Sequence, residues 1–399
     1  MAQHDEKVAL RSDLSSTSAS PEPFDPVLFE KEERIREACT WRDADKLRSL
    51  AQSQGGLLKD ELRQQAWPIL MGLSGLGDAD EKHDHISSEW ETLPPHRDES
   101  QVELDVNRSF VYYPHDQSDR ELDRRKAELS ALITQVLREN PYLCYFQGYH
   151  DICQVILLVL APELRAPVVA RLSVLRIRDF MLPSLAPTTA QLRLLPDILS
   201  VADPKLWRHL LGVEPFYALS GTLTMFAHNI EAYSDIARLF DVFLAREPVF
   251  SIYMFAQIVL DRRDEIFEID EPDMLHVILG KVPPRMDLDA LIVDSASLLE
   301  RHPPEKLRAW RGISRSSSLK TVRHVEDCAK QTLTDGQHFF EAQATELQRA
   351  EMRDRVKAKL WAYRKPARTV GAAFAFGILA MYLRRNPGIV HQIVGLFMR

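Results

Sequence analysis

Residues 144–160 read Cys-Tyr-Phe-Gln-Gly-Tyr-His-Asp-Ile-Cys-Gln-Val-Ile-Leu-Leu-Val-Leu. The stretch starts amphipathic and becomes wholly apolar, which is typical of a helix buried at the centre of a domain. A charged helical pattern at about 118–139 precedes it and ends at Asn140-Pro141, a helix stop signal. Glycine is scarce, at 15 of 399 residues, and no strand alternation of useful length appears. We therefore predict an all-α fold of many helices.

The chain divides by composition into five parts. Serine, threonine and proline dominate the first part, and Pro303-Pro304 with a serine cluster opens the third. We predict a disordered leader at 1–26, a helical domain at 27–302, a linker at 303–334, a basic charged helix at 335–368, and a hydrophobic membrane-anchoring tail at 369–399.

The tail contains an uncharged run of 15 residues from Thr369 to Leu383. As a helix it reaches about 22 Å, short of the roughly 30 Å of a hydrocarbon core, and so suits a thin membrane such as that of the endoplasmic reticulum. Seven basic residues lie just before it, as on a cytosolic flank. The alternative is an amphipathic or buried terminal helix of the soluble fold. The predicted anchor residues are Val370, Phe374, Phe376, Ile378 and Leu379.

Composition also excludes several classes of protein. The net charge of −8 argues against nucleic-acid binding. Gly280-Lys281 is followed by Val282, so the chain has no phosphate-binding P-loop. The four cysteines have no metal-ligand spacing and indicate reduced thiols. His83-Asp84-His85 is better explained as part of a solvated acidic loop than as a metal site.

Two short motifs carry the candidate chemistry. Residues 104–110 read Leu-Asp-Val-Asn-Arg-Ser-Phe, and Gln147 lies in the stretch quoted above. An arginine and a glutamine on separate elements are the side chains needed to complete GTP hydrolysis on another protein. The guanidinium of Arg108 can bridge phosphate oxygens, and the amide of Gln147 can orient water. The alternatives are a surface arginine paired with Asp105 and an ordinary glutamine at a helix start.

These motifs resemble the TBC-domain family of Rab GTPase-activating proteins. The resemblance covers about 55–285 and includes Gly56 to Arg63 and Trp67 to Leu70 upstream of the two motifs. It continues through Leu223 to His228 and Arg238 to Asp241. The chain departs from the family at Gly221, where a tryptophan is usual.

The resemblance implies a Rab GTPase in its GTP form as partner, with Arg108 and Gln147 as catalytic fingers. It implies no cofactor of the chain's own, because GTP and Mg²⁺ arrive with the partner. The wording around Gly148 and the hydrophobic C-terminus are most similar to the branch anchored in the endoplasmic reticulum. This implies a location on that membrane, with the helical domain in the cytosol, and a role in traffic to the Golgi.

Several neighbouring residues are predicted to support the fingers. Asp105 is predicted to hold the guanidinium of Arg108, to cap a helix that begins at Val106, or to do both, since the two roles are compatible. Tyr145 supports the glutamine by packing or through its hydroxyl. Gly148 either lets the partner backbone approach closely or eases a helix start.

Four more residues are assigned from helix geometry. His150 and Asp151 are adjacent on a helix and point about 100° apart, so they are not expected to face each other. A core or capping role is predicted for them, with Asp151 among the supporting residues. Arg238 and Asp241 lie three apart and are predicted to pair with each other near the site.

Two other functions remain open from sequence. The first is a non-catalytic module that binds a Rab or tethers a membrane, and the second is a helical adaptor with chance motifs. The presence of both finger residues favours the activator.

Overall fold

The computed structural model describes residues 25–73, 88–115 and 117–386, together with Gly388. Its regular structure is helical, and no strand occurs in these ranges, which confirms the all-α prediction. The helices before residue 203 are α1 (Pro26–Thr40), α2 (Ala44–Gln52), α3 (Asp60–Leu70), α4 (Glu99–Val106), α5 (Asp119–Glu139), α6 (Tyr149–Val159), α7 (Pro162–Arg171), α8 (Ala186–Leu192) and α9 (Leu194–Ala202). The later helices are α10 (Pro204–His209), α11 (Leu219–Leu223), α12 (Tyr233–Ala245), α13 (Phe250–Asp261), α14 (Arg263–Phe267), α15 (Pro272–Leu279), α16 (Leu288–Arg301), α17 (Ser318–Thr321), α18 (Val325–Lys330) and α19 (Leu333–Arg385).

The apolar stretch quoted first forms α6, at the centre of the domain. Every residue of α6 except Asp151 and Leu158 is buried. The helix packs against α3, α4, α5 and α7. Burying a large aliphatic side chain contributes roughly 1.5–3 kcal/mol, so this helix is a main source of stability. The predicted buried central helix is confirmed.

A second buried layer lies beside α6. Helix α12 is buried continuously from Ile236 to Ala245 and packs against α2, α3 and α16. Helix α13 packs against α9, α11 and α16. The two layers hold the ends of α4, α6 and α11 in fixed positions, and the candidate site is built from those ends.

Residues 303–334 differ from the predicted linker. They contain α17, α18 and short 3₁₀ turns, and Leu307, Trp310 and Leu319 are buried. The buried guanidinium of Arg178 donates to the carbonyl of Ser316 at 2.6 Å. Proline and serine suggested a loop, but the apolar residues spaced between them attach the segment to the core.

Helix α19 is longer than predicted, because it joins the basic helix and the apolar run into one helix from Leu333 to Arg385. A capping box between Thr332 and Asp335 starts it, and Phe340 and Gln343 bury its first turns against the domain. Four predicted anchor residues lie exposed near its end: Phe374, Phe376, Ile378 and Leu379. Among the described residues, no helix combines the length and the apolar content needed to cross a membrane.

Some predictions fall outside the described residues. These are the leader up to residue 24, the loop with His83-Asp84-His85, and the end of the tail from residue 389.

Candidate functional site

Arg108 lies on a turn immediately after α4. Its side chain is 67% exposed. The Nε donates to the carbonyl of Leu104 at 3.3 Å, and Nη2 donates to Asp105 Oδ1 at 3.2 Å. The guanidinium is therefore tethered at its base while most of its surface faces solvent. Of the two roles predicted for Asp105, holding the arginine is the one observed. The capping role is wrong, because α4 ends at Val106 rather than beginning there.

Asp105 is buried and accepts three hydrogen bonds. Besides Arg108, its donors are Gln101 Nε2 at 3.0 Å and the Tyr145 hydroxyl at 3.0 Å. A buried carboxylate requires such donors, because an unpaired charge away from water is costly. The three donors come from α4, the turn after it and the segment before α6, so Asp105 joins the two motifs.

Tyr145 is the link on the glutamine side. Its backbone N–H donates to Asp98 Oδ2 at 2.9 Å, and its hydroxyl oxygen also lies 3.1 Å from His150 Nδ1. Burial, aided by the adjacent Asp105, raises the pKa of the phenol well above its usual value, so the hydroxyl keeps its proton and donates. The predicted hydroxyl contact exists, but it is made to the partner of the arginine and not to the glutamine.

Gln147 is exposed, two residues after Tyr145. Within the described part of the chain, its side-chain amide has no hydrogen-bond partner. Gly148 follows with φ +102°, a left-handed conformation that glycine adopts without strain. A Cβ at this position would lie 2.6 Å from Thr224 Cγ2. Gly148 therefore permits both the helix start and the close approach of Thr224.

His150 and Asp151 contact each other, contrary to the prediction. His150 Nε2 lies 3.3 Å from Asp151 Oδ1, and Asp151 Oδ2 lies 3.0 Å from Nδ1 of the exposed His228. Both side chains extend from the first turn of α6, where their rotamers can bring adjacent residues together despite the 100° between them. Close polar contacts therefore run from Arg108 through Asp105, Tyr145, His150 and Asp151 to His228.

A second link between α6 and the arginine segment was not predicted. The buried amide of Gln154 accepts from the backbone N–H of Phe110 at 2.9 Å and donates to the carbonyl of Tyr113 at 3.4 Å. Phe110 has φ +60°, so this amide secures a strained turn just after the arginine motif. The signal was present in the sequence, because a glutamine within an apolar helical run must find polar partners when buried.

Arg238 and Asp241 do not form the predicted ion pair. Arg238 pairs with Asp289 at 2.9 Å. Asp241 is fully buried and accepts from Arg63 Nε at 3.0 Å and Trp67 Nε1 at 2.9 Å. The two side chains join α12 to α16 and to α3, respectively. Their contacts are structural, and among the described residues neither side chain bonds to the finger motifs.

Gly221, where the resembling family usually has tryptophan, leaves no gap. A Cβ there would lie 3.1 Å from Phe255 and 3.4 Å from Phe226. These two rings occupy the space that a larger side chain would need.

No group of three or more His, Cys, Asp or Glu side chains in the described ranges is placed to hold a metal ion.

Comparison with known proteins gives consistent matches. The model of the Rab-GTPase-TBC domain family matches residues 60–267. The GTPase-activating protein gyp10 of Schizosaccharomyces pombe is 32% identical over 322 residues, which are 79% of this chain and 84% of that protein. TBC1 domain family member 20 of Homo sapiens is 34% identical over 269 residues, 66% of this chain and 65% of that protein. The crystal structure of the Chlamydomonas flagellar RabGAP TBC domain aligns with a TM-score of 0.50 at 15% identity, covering 69% of this chain and 97% of that one. This last match is a likeness of fold.

Proposed function

This chain belongs to the Rab-GTPase-TBC domain family of Rab GTPase-activating proteins, and from that premise we propose that it accelerates GTP hydrolysis by inserting Arg108 and Gln147 into the Rab active site. The observation that carries the proposal is the hydrogen-bonded link from Arg108 through Asp105 to Tyr145, two residues before Gln147. GTP and Mg²⁺ come with the partner.

The tethering of Arg108 supports its role as an arginine finger. Its planar, permanently charged group can contact phosphate oxygens in two places. Asp105 holds one edge of the guanidinium and leaves the rest exposed, so little conformational freedom is lost on docking. An arginine supplied in trans contributes roughly 10³- to 10⁵-fold to the rate of GTP hydrolysis.

The environment of Gln147 supports the second role. An exposed amide that has no partner among the described residues has a donor and an acceptor available for the attacking water and for a backbone group of the GTPase. Phosphoryl transfer depends on positioning and electrostatics more than on a strong base, so a glutamine is sufficient.

Apolar side chains flank the arginine. Leu104, Val111 and Tyr112 are all exposed within four residues of Arg108. Exposed apolar groups beside a functional side chain are typical of a protein-binding surface. We propose that these three contact the switch region of the Rab.

The direct test is phosphate release from a panel of Rab proteins loaded with GTP. Arg108→Ala and Gln147→Ala are each expected to lower the stimulated rate by roughly 10²-fold or more. Arg124→Ala is the matched control. Arg124 is about as exposed as Arg108 and, like it, pairs with a carboxylate three residues earlier in the chain, that of Glu121. Equal rates for all variants, with Rab·GTP still bound in a pull-down, would instead support a non-catalytic Rab-binding module.

We further propose that the end of α19 attaches the protein to the membrane of the endoplasmic reticulum and that its substrate is a Rab of traffic to the Golgi. The exposed apolar residues near the C-terminus, the basic approach and the similarity to TBC1 domain family member 20 support this. In cells, the full chain is expected to stay with membranes on alkaline carbonate extraction, whereas a chain ending at Arg368 is released. Release of both would refute the attachment.

A further inference from the structure

The turn between α11 and α12 has an unusual backbone. Met225 and Phe226 have φ of 51° and 64°, a left-handed conformation that large side chains rarely adopt. Both are buried, and Phe226 stacks on Phe243 and Phe255 with ring centroids 5.7 Å and 6.0 Å apart. Core packing thus holds a strained turn, and such strain is concentrated at functional sites.

This turn contacts the first turn of α6 at two points. Thr224 packs against Gly148, leaving no room for a Cβ. His228 Nδ1 lies 3.0 Å from Asp151 Oδ2. Helix α6 has no side-chain cap of its own at this end, so the contacts from the strained turn secure it. Gln147 immediately precedes Gly148, the N-cap residue of α6.

We propose that His228 is a positioning residue for GTPase activation: through Asp151 it fixes the first turn of α6 and thereby the direction in which Gln147 projects. The inference rests on the proposed function. The carboxylate of Asp151 is favoured at a helix N-terminus by the helix dipole. The dipole alone leaves the side chain free to rotate, and the bond to His228 selects one orientation.

The two histidines that flank Asp151 have pKa values shifted in opposite directions. The hydrogen bond with Asp151 raises the pKa of His228 above its ordinary value, against a smaller opposing effect of burial. Burial lowers the pKa of His150, which faces Asp151 from inside and is also influenced by Asp105 and Arg108. The outer imidazole, which contacts Asp151, therefore binds a proton more readily than the inner one.

The test uses steady-state and single-turnover kinetics of the full chain on a Rab that it activates. His228→Ala is expected to lower kcat by ~10- to 100-fold, the range for misplacement of a catalytic group by about 1 Å, with KM nearly unchanged. His228→Asn, whose amide N–H can donate to Asp151, is expected to recover most of the rate. Because His228 is 63% exposed, its removal leaves no cavity. His338→Ala, at an exposed position on α19, is the matched control.

A double-mutant comparison shows whether His228 acts through the glutamine. In the Gln147→Ala background, His228→Ala should have no further effect, since residues that act as a unit are not additive. Additive losses would overturn the inference, and so would a wild-type kcat for His228→Ala or a change confined to KM. The two possible failures can be told apart. If Arg108→Ala and Gln147→Ala have no effect, the proposed activator function itself fails, whereas if only His228→Ala has no effect, the positioning role of His228 alone fails.

Discussion

Replacing Tyr145 with phenylalanine removes a single oxygen atom from the link between the two motifs. That hydroxyl donates to Asp105 Oδ2 at 3.0 Å and is the contact through which the segment before α6 holds the carboxylate of the arginine motif. The ring would remain in place against Tyr149, with which it packs edge to face at 6.0 Å. The substitution therefore tests the hydrogen bond with little change in packing.

The expected magnitude follows from the surroundings of Asp105. This carboxylate is only 1% exposed, so water does not replace the lost donor. A hydrogen bond to a charged group contributes roughly 1.5–3 kcal/mol, and a buried acceptor left without it loses about that much. Two donors, Gln101 and Arg108, remain on the other oxygen, so Asp105 keeps these partners but can rotate. We expect the free energy of unfolding to fall by roughly 1.5–3 kcal/mol and the stimulated GTPase rate to fall ~10-fold or more.

Both quantities are measured on the same preparation, by denaturant unfolding and by phosphate release. Tyr142→Phe is the matched control, because the Tyr142 hydroxyl donates to the neutral Asn140 Oδ1 at 3.2 Å. Tyr142→Phe is expected to lower the free energy of unfolding by only about 1 kcal/mol and to leave the stimulated GTPase rate unchanged. If Tyr145→Phe has wild-type stability and activity, the link between the motifs does not position the arginine, and the reasoning is refuted.

Three further results are expected. Asp241→Ala leaves the buried guanidinium of Arg63 with only the partly exposed Asp60 and also removes the acceptor of Trp67 Nε1. The free energy of unfolding should fall by roughly 3–5 kcal/mol, whereas a loss below about 1 kcal/mol in denaturant unfolding would contradict the buried pair. Gly148→Ala places a Cβ at φ +102° and should cost roughly 1–3 kcal/mol with a slower stimulated rate; a fully active, equally stable variant would count against the strained helix start. Finally, because Asp151 raises the folded-state pKa of His228, this pair contributes its full stability below pH 6.5 and loses it as the pH rises through the raised value. The melting temperature of wild type should therefore exceed that of His228→Asn by more at about pH 5.5 than at about pH 8.5, and the opposite trend would be inconsistent with the raised pKa.

The helices and the candidate motifs could be predicted from sequence because both depend on residues close together in the chain. The apolar run at 152–160 indicates burial on every face, and Asn140-Pro141 ends the helix before it, as observed. The helical nature of the domain needs only such local patterns. The contact between Arg108 and Asp105 was also within reach of sequence, because it spans three residues.

Contacts between distant residues could not be predicted in this way. Asp241 was assigned to Arg238 because helix spacing allows that pair, but packing of α12 against α3 brings Arg63 to it across 178 residues. The tilt and depth of each helix decide which of several suitable cations reaches a buried carboxylate, and no local pattern records them. The difference from the linker predicted at 303–334 has the same cause. Its apolar residues pack on a core surface formed by distant parts of the chain, which a local pattern does not reveal.

The amino-acid sequence by itself determined that the chain is helical, that α6 is buried, and that an arginine and a glutamine lie in two motifs about forty residues apart. Only the tertiary structure decided that Tyr145 and Asp105 connect these two side chains and that His228, 77 residues beyond Asp151, secures the start of α6. The physical reason is range. Helix formation and burial follow from interactions within a few residues, whereas a hydrogen-bonded network requires the packed core to bring its members within about 3 Å of one another.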